Sequence, residues 1–346
     1  MGELAGRRVL QVLGPSTGGI GTSVRALLGP LTAAGAEVTV CGPPATDALF
    51  GFSAAARFVP LGPGLRRIPA DLVHAHGLRA GLAAALAGRR PLVLTLHTPV
   101  PERPRVVRAA ARAAVRAADV VLAASPDLAA AARRLGAADV RDAPVAAPPL
   151  PPPRRSPGEV RAALGLAPGR PLVLAVGRLH PQKGYDVLLD AAERWAADPR
   201  PPLVAIAGAG PLAARLARQV RQRRLPVALL GRRDDVAHLL AAADVVVLPS
   251  RWEARSLAAQ EALRAGRPLV ATRTGGLPGL LGDGAVLVPP GDAAALADAV
   301  AGLLADPARA AALAAAGRRR ADGWPDAAAT ARQVVAVHRE LLGGPL

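Results

Sequence analysis

Short apolar runs rich in valine and leucine recur along the chain, separated by longer stretches in which alanine and leucine alternate with arginine. In the first half the runs predict strands over 7–13, 36–41, 71–75, 91–96 and 119–123. Helical periodicity fills the intervals at 19–34, 77–87, 103–118 and 126–135. Runs that are apolar at every position, not at every second one, suit strands buried on both faces, so the pattern predicts parallel βαβ units.

The alternation breaks at 143–153, where A-P-V-A-A-P-P-L-P-P-P holds six prolines. Proline removes a backbone donor and fixes φ, so this stretch reads as a stiff linker. Beyond it strands are expected near 171–176, 202–207, 226–230, 244–248, 268–271 and 285–288. Helices are expected near 182–197, 210–224, 234–241, 256–265, 292–305 and 307–321. The predicted fold is α/β, with two Rossmann-like doubly wound parallel-sheet domains over 1–150 and 151–323. Such sheets bind ligands beyond the carboxyl ends of their strands, here in the cleft the two domains would face. A last helix, about 326–342 within a 324–346 segment, is placed to pack back on the first domain.

Composition narrows the function. The 346 residues are 51% hydrophobic but only 2% aromatic, so the cores must be built from Ala, Val and Leu. A single cysteine excludes an intrachain disulfide. The net charge of +17 would suit nucleic acid or an anionic membrane. The arginines are dispersed, however, and no aromatic-studded strand or zinc-finger spacing accompanies them, which argues against nucleic acid. Arg105, Arg108, Arg112 and Arg116 do share one helical face. That stripe reads first as a solvated surface and second as a docking face for anionic lipid. The N-terminus lacks the order of a signal peptide, and no apolar run approaches a membrane span. The expectation is a cytoplasmic protein, peripheral on the inner membrane face if the stripe binds lipid.

Of 43 basic side chains, Lys183 is the one lysine. A lysine kept where every other position became arginine points to a site that needs a compact ammonium. It closes V-G-R-L-H-P-Q-K-G, in which Gly177, Arg178 and Lys183 follow an apolar strand and precede a helical pattern. Two cations beside a helix start make an anion cradle. The Walker pattern is absent. Downstream, Glu253 and Glu261 stand in E-A-R-S-L-A-A-Q-E, one in the loop after a strand and one on a helix. Carboxylates so placed can hold sugar and ribose hydroxyls. His74, His76 and His97 fall at strand ends, but no carboxylate completes a metal set, so no metal is expected. G-A-G-P-L-A at 208–213 mimics a dinucleotide fingerprint; Pro211 and the lack of an acidic residue after the next strand argue against it.

Taken together, V-G-R-L-x-P-x-K-G and E-x7-E-A resemble family 4 of the retaining glycosyltransferases, of GT-B fold. D-L-V-H-A-H-G (71–77), T-L-H-T-P (95–99), A-D-V-V-L-A-A-S (118–125), A-D-V-V-V-L-P-S (243–250) and T-G-G-L-P (274–278) extend the likeness over nearly the whole chain. The resemblance implies metal-independent, cofactor-free transfer from a nucleotide-diphosphate sugar, with retention. Arg178 and Lys183 would neutralise the diphosphate beside Gly177. Glu261 would hold the ribose, Glu253 the donor sugar, and backbone N–H groups around Arg255, Ser256 and Leu257 the phosphate or sugar. Gly18 and Gly19 would admit the donor phosphates, His97 would stand near the reacting sugar, and Gly231 and Arg232 would lie on the base side. The acceptor is unassigned; a lipid-linked or cell-envelope glycan would suit a membrane-docked enzyme. Ala254-Arg255-Ser256 replaces the family's Gly-Phe-Gly, and Gly279 replaces a frequent Glu. The rival readings are a non-catalytic nucleotide-sugar-binding protein of the same fold and a surface adaptor resting on charge alone.

Overall fold

The computed structural model describes residues 2–100 and 103–343. The chain forms two compact units, Met1–Ala146 with Pro325–Leu346, and Ala147–Trp324. The boundary therefore precedes most of the proline run, which belongs with the second unit, and the C-terminal segment is part of the first.

The first unit holds a sheet of β1 (Arg8–Leu13), β2 (Glu37–Gly42), β3 (Arg57–Pro60), β4 (Leu72–His76), β5 (Leu92–Leu96), β6 (Val120–Ala123) and β7 (Val140–Asp142). Their order is β3-β2-β1-β4-β5-β6-β7, with every pairing parallel. Both edge strands escape the sequence pattern for physical reasons. β3 is exposed at both ends and ends on a proline, which an edge tolerates. β7 is three residues, Val-Arg-Asp, too short and polar to register as an apolar run. A helix at Pro44–Phe50 was also unanticipated. Helix Ala327–Leu341 lays Ala331, Val334, Val335 and Val337 on a core with Val9, Val38, Leu72, Val93 and Val120. Asp326 caps its start by accepting from the Ala329 N–H.

The second unit holds β8 (Leu172–Val176), β9 (Leu203–Ala207), β10 (Val227–Gly231), β11 (Val245–Leu248), β12 (Leu269–Thr272) and β13 (Val286–Val288), again all parallel, in the order β10-β9-β8-β11-β12-β13. Alternate residues feed opposite cores. Leu172, Leu174, Val246, Leu248, Leu269 and Ala271 pack on one face, and Val173, Ala175, Val245, Val247 and Val270 on the other. This two-sided burial explains why the strands read as continuous apolar runs. A helix at Pro157–Ala163, closed by a Ser156–Glu159 capping box, precedes β8 and was not predicted. Among the described residues no single helix is long and apolar enough to cross a membrane.

Candidate functional site

In the second unit the chain leaves β8 toward β9 on one side, while β11 pairs on the other. The loops after β8 and β11 thus diverge from adjacent strand ends, the place where open α/β sheets accept ligands. The Gly177–Lys183 loop lies on the loop after β9. The Gly177 N–H donates to Ala207 O at 3.0 Å, Leu179 N–H to Ala209 O at 2.9 Å, and Leu212 N–H to Leu179 O at 3.0 Å. A Cβ at Gly208 or Gly210 would collide with the Gly177 or Leu179 carbonyl oxygen. The G-A-G-P glycines therefore serve loop-on-loop packing.

Lys183 does not open the long helix. It ends a single 3-10 turn, Pro181–Lys183; Gly184 follows with φ 65° and helix Tyr185–Trp195 begins after it. Gly184 is required twice over, by its left-handed backbone and because a Cβ would strike the Pro249 carbonyl. Lys183 Nζ meets Glu253 Oε1 at 2.6 Å, with the Glu253 side chain only 7% exposed. The same oxygen accepts from Ser250 Oγ at 2.7 Å. Glu253 is further fixed through its backbone, since the Gly276 N–H donates to its carbonyl at 2.8 Å. Gln182 ties the two loops together, donating from Nε2 to Trp252 O at 2.9 Å and accepting from the Arg251 N–H at 2.7 Å. The buried Tyr185 hydroxyl donates to Gly177 O at 3.0 Å. Burial and the Glu253 charge push its pKa up, so it stays a neutral donor. Ser250, Gln182 and Tyr185 were missed from the sequence. Their signal was position alone: each flanks a candidate loop, and only the packed strands show which side chains turn inward.

The remaining candidates divide. Arg178 is half-buried in the same loop. Ser256 caps helix Leu257–Arg264, its hydroxyl accepting from the Ala259 N–H. Glu261 lies on that helix, where burial raises its pKa to about 7 against the opposing effect of Arg264. Arg255 shares the loop, yet its guanidinium turns away to lie 5.6 Å over the Trp324 ring. Burial, with Arg264 and Arg320 nearby, lowers its pKa to about 10. Gly231 ends β10 at φ 67° and Arg232 is exposed beside it.

In the first unit Gly18 precedes helix Gly19–Ala33 at the end of the loop after β1. A Cβ at either glycine would meet nothing within 4 Å, so no neighbour in the chain demands them, whereas Gly21 abuts the Phe50 ring. His97 follows β5, and burial lowers its pKa to about 4. It is not isolated: His76 Nδ1 lies 3.4 Å from its Nε2, and His74, Gln11 and His338 complete a buried polar layer. Among the described residues no group of three or more His, Cys, Asp or Glu side chains is arranged to hold a metal ion.

Residues 17–149 match the model for Glycosyltransferase Family 4, and residues 158–320 that for Glycosyl transferases group 1. The chain is 37% identical over 303 residues to a D-inositol 3-phosphate glycosyltransferase of Xylanimonas cellulosilytica, covering 77% of this chain and 72% of that protein. It is 34% identical to an alpha-maltose-1-phosphate synthase of Mycolicibacterium smegmatis, covering 79% of each. Among solved structures, sucrose-phosphate synthase from Thermosynechococcus elongatus superposes with a TM-score of 0.82 at 26% identity, over 97% of this chain and 99% of that one. Anabaena HepE in complex with UDP-glucose gives 0.85 at 23% identity, over 97% and 100%.

Proposed function

We infer the reaction from a plain premise: the chain belongs to glycosyltransferase family 4 and has the GT-B fold. We propose that it moves a hexose-type sugar from a nucleotide-diphosphate donor to an acceptor hydroxyl, with retention at the anomeric carbon and without a metal ion. The observation that carries this reading is the pairing of half-buried Lys183 with buried Glu253 at the carboxyl ends of β8 and β11. An ammonium has three donors. One is held by Glu253, which leaves two to reach phosphate oxygens as the bond from the anomeric carbon to the phosphate oxygen breaks and its electron pair passes to the diphosphate. Arg178 adds the second cation to this stabilisation of developing charge. With two cations in this loop, chelators are expected to leave turnover unchanged.

The Glu253 carboxylate has one oxygen committed to Lys183 and Ser250. The other is assigned to a donor-sugar hydroxyl. Glu261 takes the ribose hydroxyls, the N–H groups of Ser256 and Leu257 a phosphate or the sugar, and Gly231 and Arg232 the base side. The Arg255 side chain, packed on Trp324, has no part in the donor site; only its backbone does. In the first unit Gly18 and Gly19 leave space for close approach of phosphate, and His97 serves the sugar. A thermal-shift screen across UDP-, GDP- and ADP-sugars tests the reading: one nucleotide should stabilise the chain, and Lys183→Ala should abolish that shift. Stabilisation without transfer or hydrolysis would favour the non-catalytic alternative.

A specific surface supports peripheral membrane association. Helix Arg105–Ala117 exposes all four arginines of its stripe, with Val106 72% and Val107 37% exposed beside them. Cationic side chains flanking exposed apolar ones suit an anionic lipid interface. Vesicles containing acidic lipid should sediment the protein in low salt and release it in high salt. Absent or salt-insensitive binding would dismiss this docking mode.

A further inference from the structure

The histidines of the first unit are arranged in a directed chain. On one face of its sheet, β4 and β5 run Leu72–His74–His76 and Val93–Thr95–His97, turning from apolar to polar toward their carboxyl ends, and the neighbouring β1 presents Gln11 between Val9 and Leu13. Gln11 Oε1 lies 2.7 Å from His76 Nε2, and His76 Nδ1 lies 3.4 Å from His97 Nε2. The His76 and His97 ring centres are 5.6 Å apart with planes only 24° from parallel. With nitrogens at 3.4 Å, the rings therefore meet edge to edge, which puts the contact in the ring plane where a hydrogen bond forms. His74 stacks on His76 at 4.2 Å and is itself held by Thr95 Oγ1 at 2.6 Å and His338 Nε2 at 3.2 Å. His76 is thus held by His74 on one face and by Gln11 and His97 at its two nitrogens.

Direction follows from proton counting. With the Gln11 amide oxygen facing it, which leaves Gln11 Nε2 buried without a partner, His76 carries its hydrogen on Nε2. A neutral ring then offers Nδ1 only as an acceptor, which obliges His97 to donate from Nε2. Burial holds the rings of His76 and His97 neutral. His97 is left with its lone pair on Nδ1.

We propose that Gln11 and His76 are positioning residues that lock His97 as the Nε2–H tautomer, so that Nδ1 accepts a hydrogen bond from a sugar hydroxyl. This rests on the reading of His97 as a sugar-side residue given above. It also specifies the substrate: the sugar must bring a hydroxyl that can donate at this point. An ether or fluorine there leaves the lone pair unmatched, and sites built around a hydroxyl discriminate strongly against its loss.

The test uses the full chain labelled with ¹⁵N-histidine and long-range proton–nitrogen correlations of the rings. His76 and His97 should both appear as Nε2–H. His76→Asn, which sets an amide oxygen where Nδ1 stood, should keep both that state of His97 and near-normal hydrolysis of the active donor among UDP-, GDP- and ADP-glucose. His76→Leu should release the tautomer and lower kcat by about 10–100-fold with little change in KM, by analogy with the loss of partners that orient metal-bound histidines. The opposite tautomers, as an amide hydrogen donated from Gln11 would impose, overturn the proposal. So do equal rates for the two variants. If the wild type acts on none of the three donors, the transferase reading falls, and the ring tautomers still decide this one.

Discussion

At the scale of single residues, chemistry explains why one lysine survives among arginines. Lys183 bonds Glu253 Oε1 at 2.6 Å inside a packed loop, and the proposed reaction asks it to direct its other hydrogens to phosphate. A planar guanidinium spreads its donors in a rigid fork and has no such freedom. Glu261 offers a second prediction. Its folded pKa of about 7 lies above the ordinary carboxylate range, so between about pH 4.5 and 7 the folded chain holds a proton that the unfolded chain has lost. Stability therefore falls as pH rises through this window, and Glu261→Gln should raise the melting free energy at pH 8 by about 1–3 kcal/mol. If the carboxylate binds ribose, affinity for the matching nucleotide sugar should weaken about tenfold per unit below pH 7 in the wild type, and stay flat in Glu261→Gln. Calorimetric titration against pH measures this. Lys183 and Glu253 were visible in the sequence by residue type and spacing. Their partnership was not, because Lys183 and Glu253 are 70 residues apart and meet only because β8 pairs with β11. Arg255 shows the opposite limit. Its place in the loop after β11 was readable, but its inward turn onto Trp324 depends on the distant end of the unit.

At the scale of elements, legibility followed burial. Strands covered on both faces, such as β8, β11 and β12, announce themselves as unbroken apolar runs. The edge strands β3 and β7 need no such run and left no signal. The polar positions near the carboxyl ends of β4 and β5 were partly readable, as the His-x-His of β4 shows, but Gln11 gained meaning only from its register beside His74 in the β1–β4 pairing. These elements carry an acid-lability prediction. Burial drives the pKa values of His74 and His76 well below the usual imidazole value, that of His97 to about 4 and that of His338 to about 3. Each ring binds its proton more tightly in the unfolded chain, so stability is complete above about pH 6.5 and is lost as pH falls toward the folded values. Four such rings give a slope of up to about 5 kcal/mol per pH unit. Thermal melts from pH 7.5 to 5 should show a steep loss that His338→Phe makes shallower. A flat melting temperature across that range would show that the rings are protonated without cost.

At the scale of the whole molecule, two sheets built on one strand order each place a glycine-bearing loop at the carboxyl end of their first strand. The sequence carried that organisation through its repeated alternation and its proline break. The break marked the passage between units only approximately, because most of the prolines pack with the second unit. The sequence did place the C-terminal helix back on the first domain, but not its contacts: Val334, Val335 and Val337 share a core with β1, β4 and β5. The excess of arginine says little about fold; a net charge of +17 attracts anions at long range, and that attraction weakens with ionic strength. The central claim is that the Lys183 ammonium, seated on Glu253, draws the diphosphate away from the sugar. It is tested most directly by single-turnover rates of sugar release from the nucleotide donor that stabilises the wild type, compared with those of Lys183→Arg. The account predicts a fall of about 100–1000-fold in the variant with donor still bound, the scale for losing one fixed stabiliser of developing charge. Equal rates in the two proteins would contradict it.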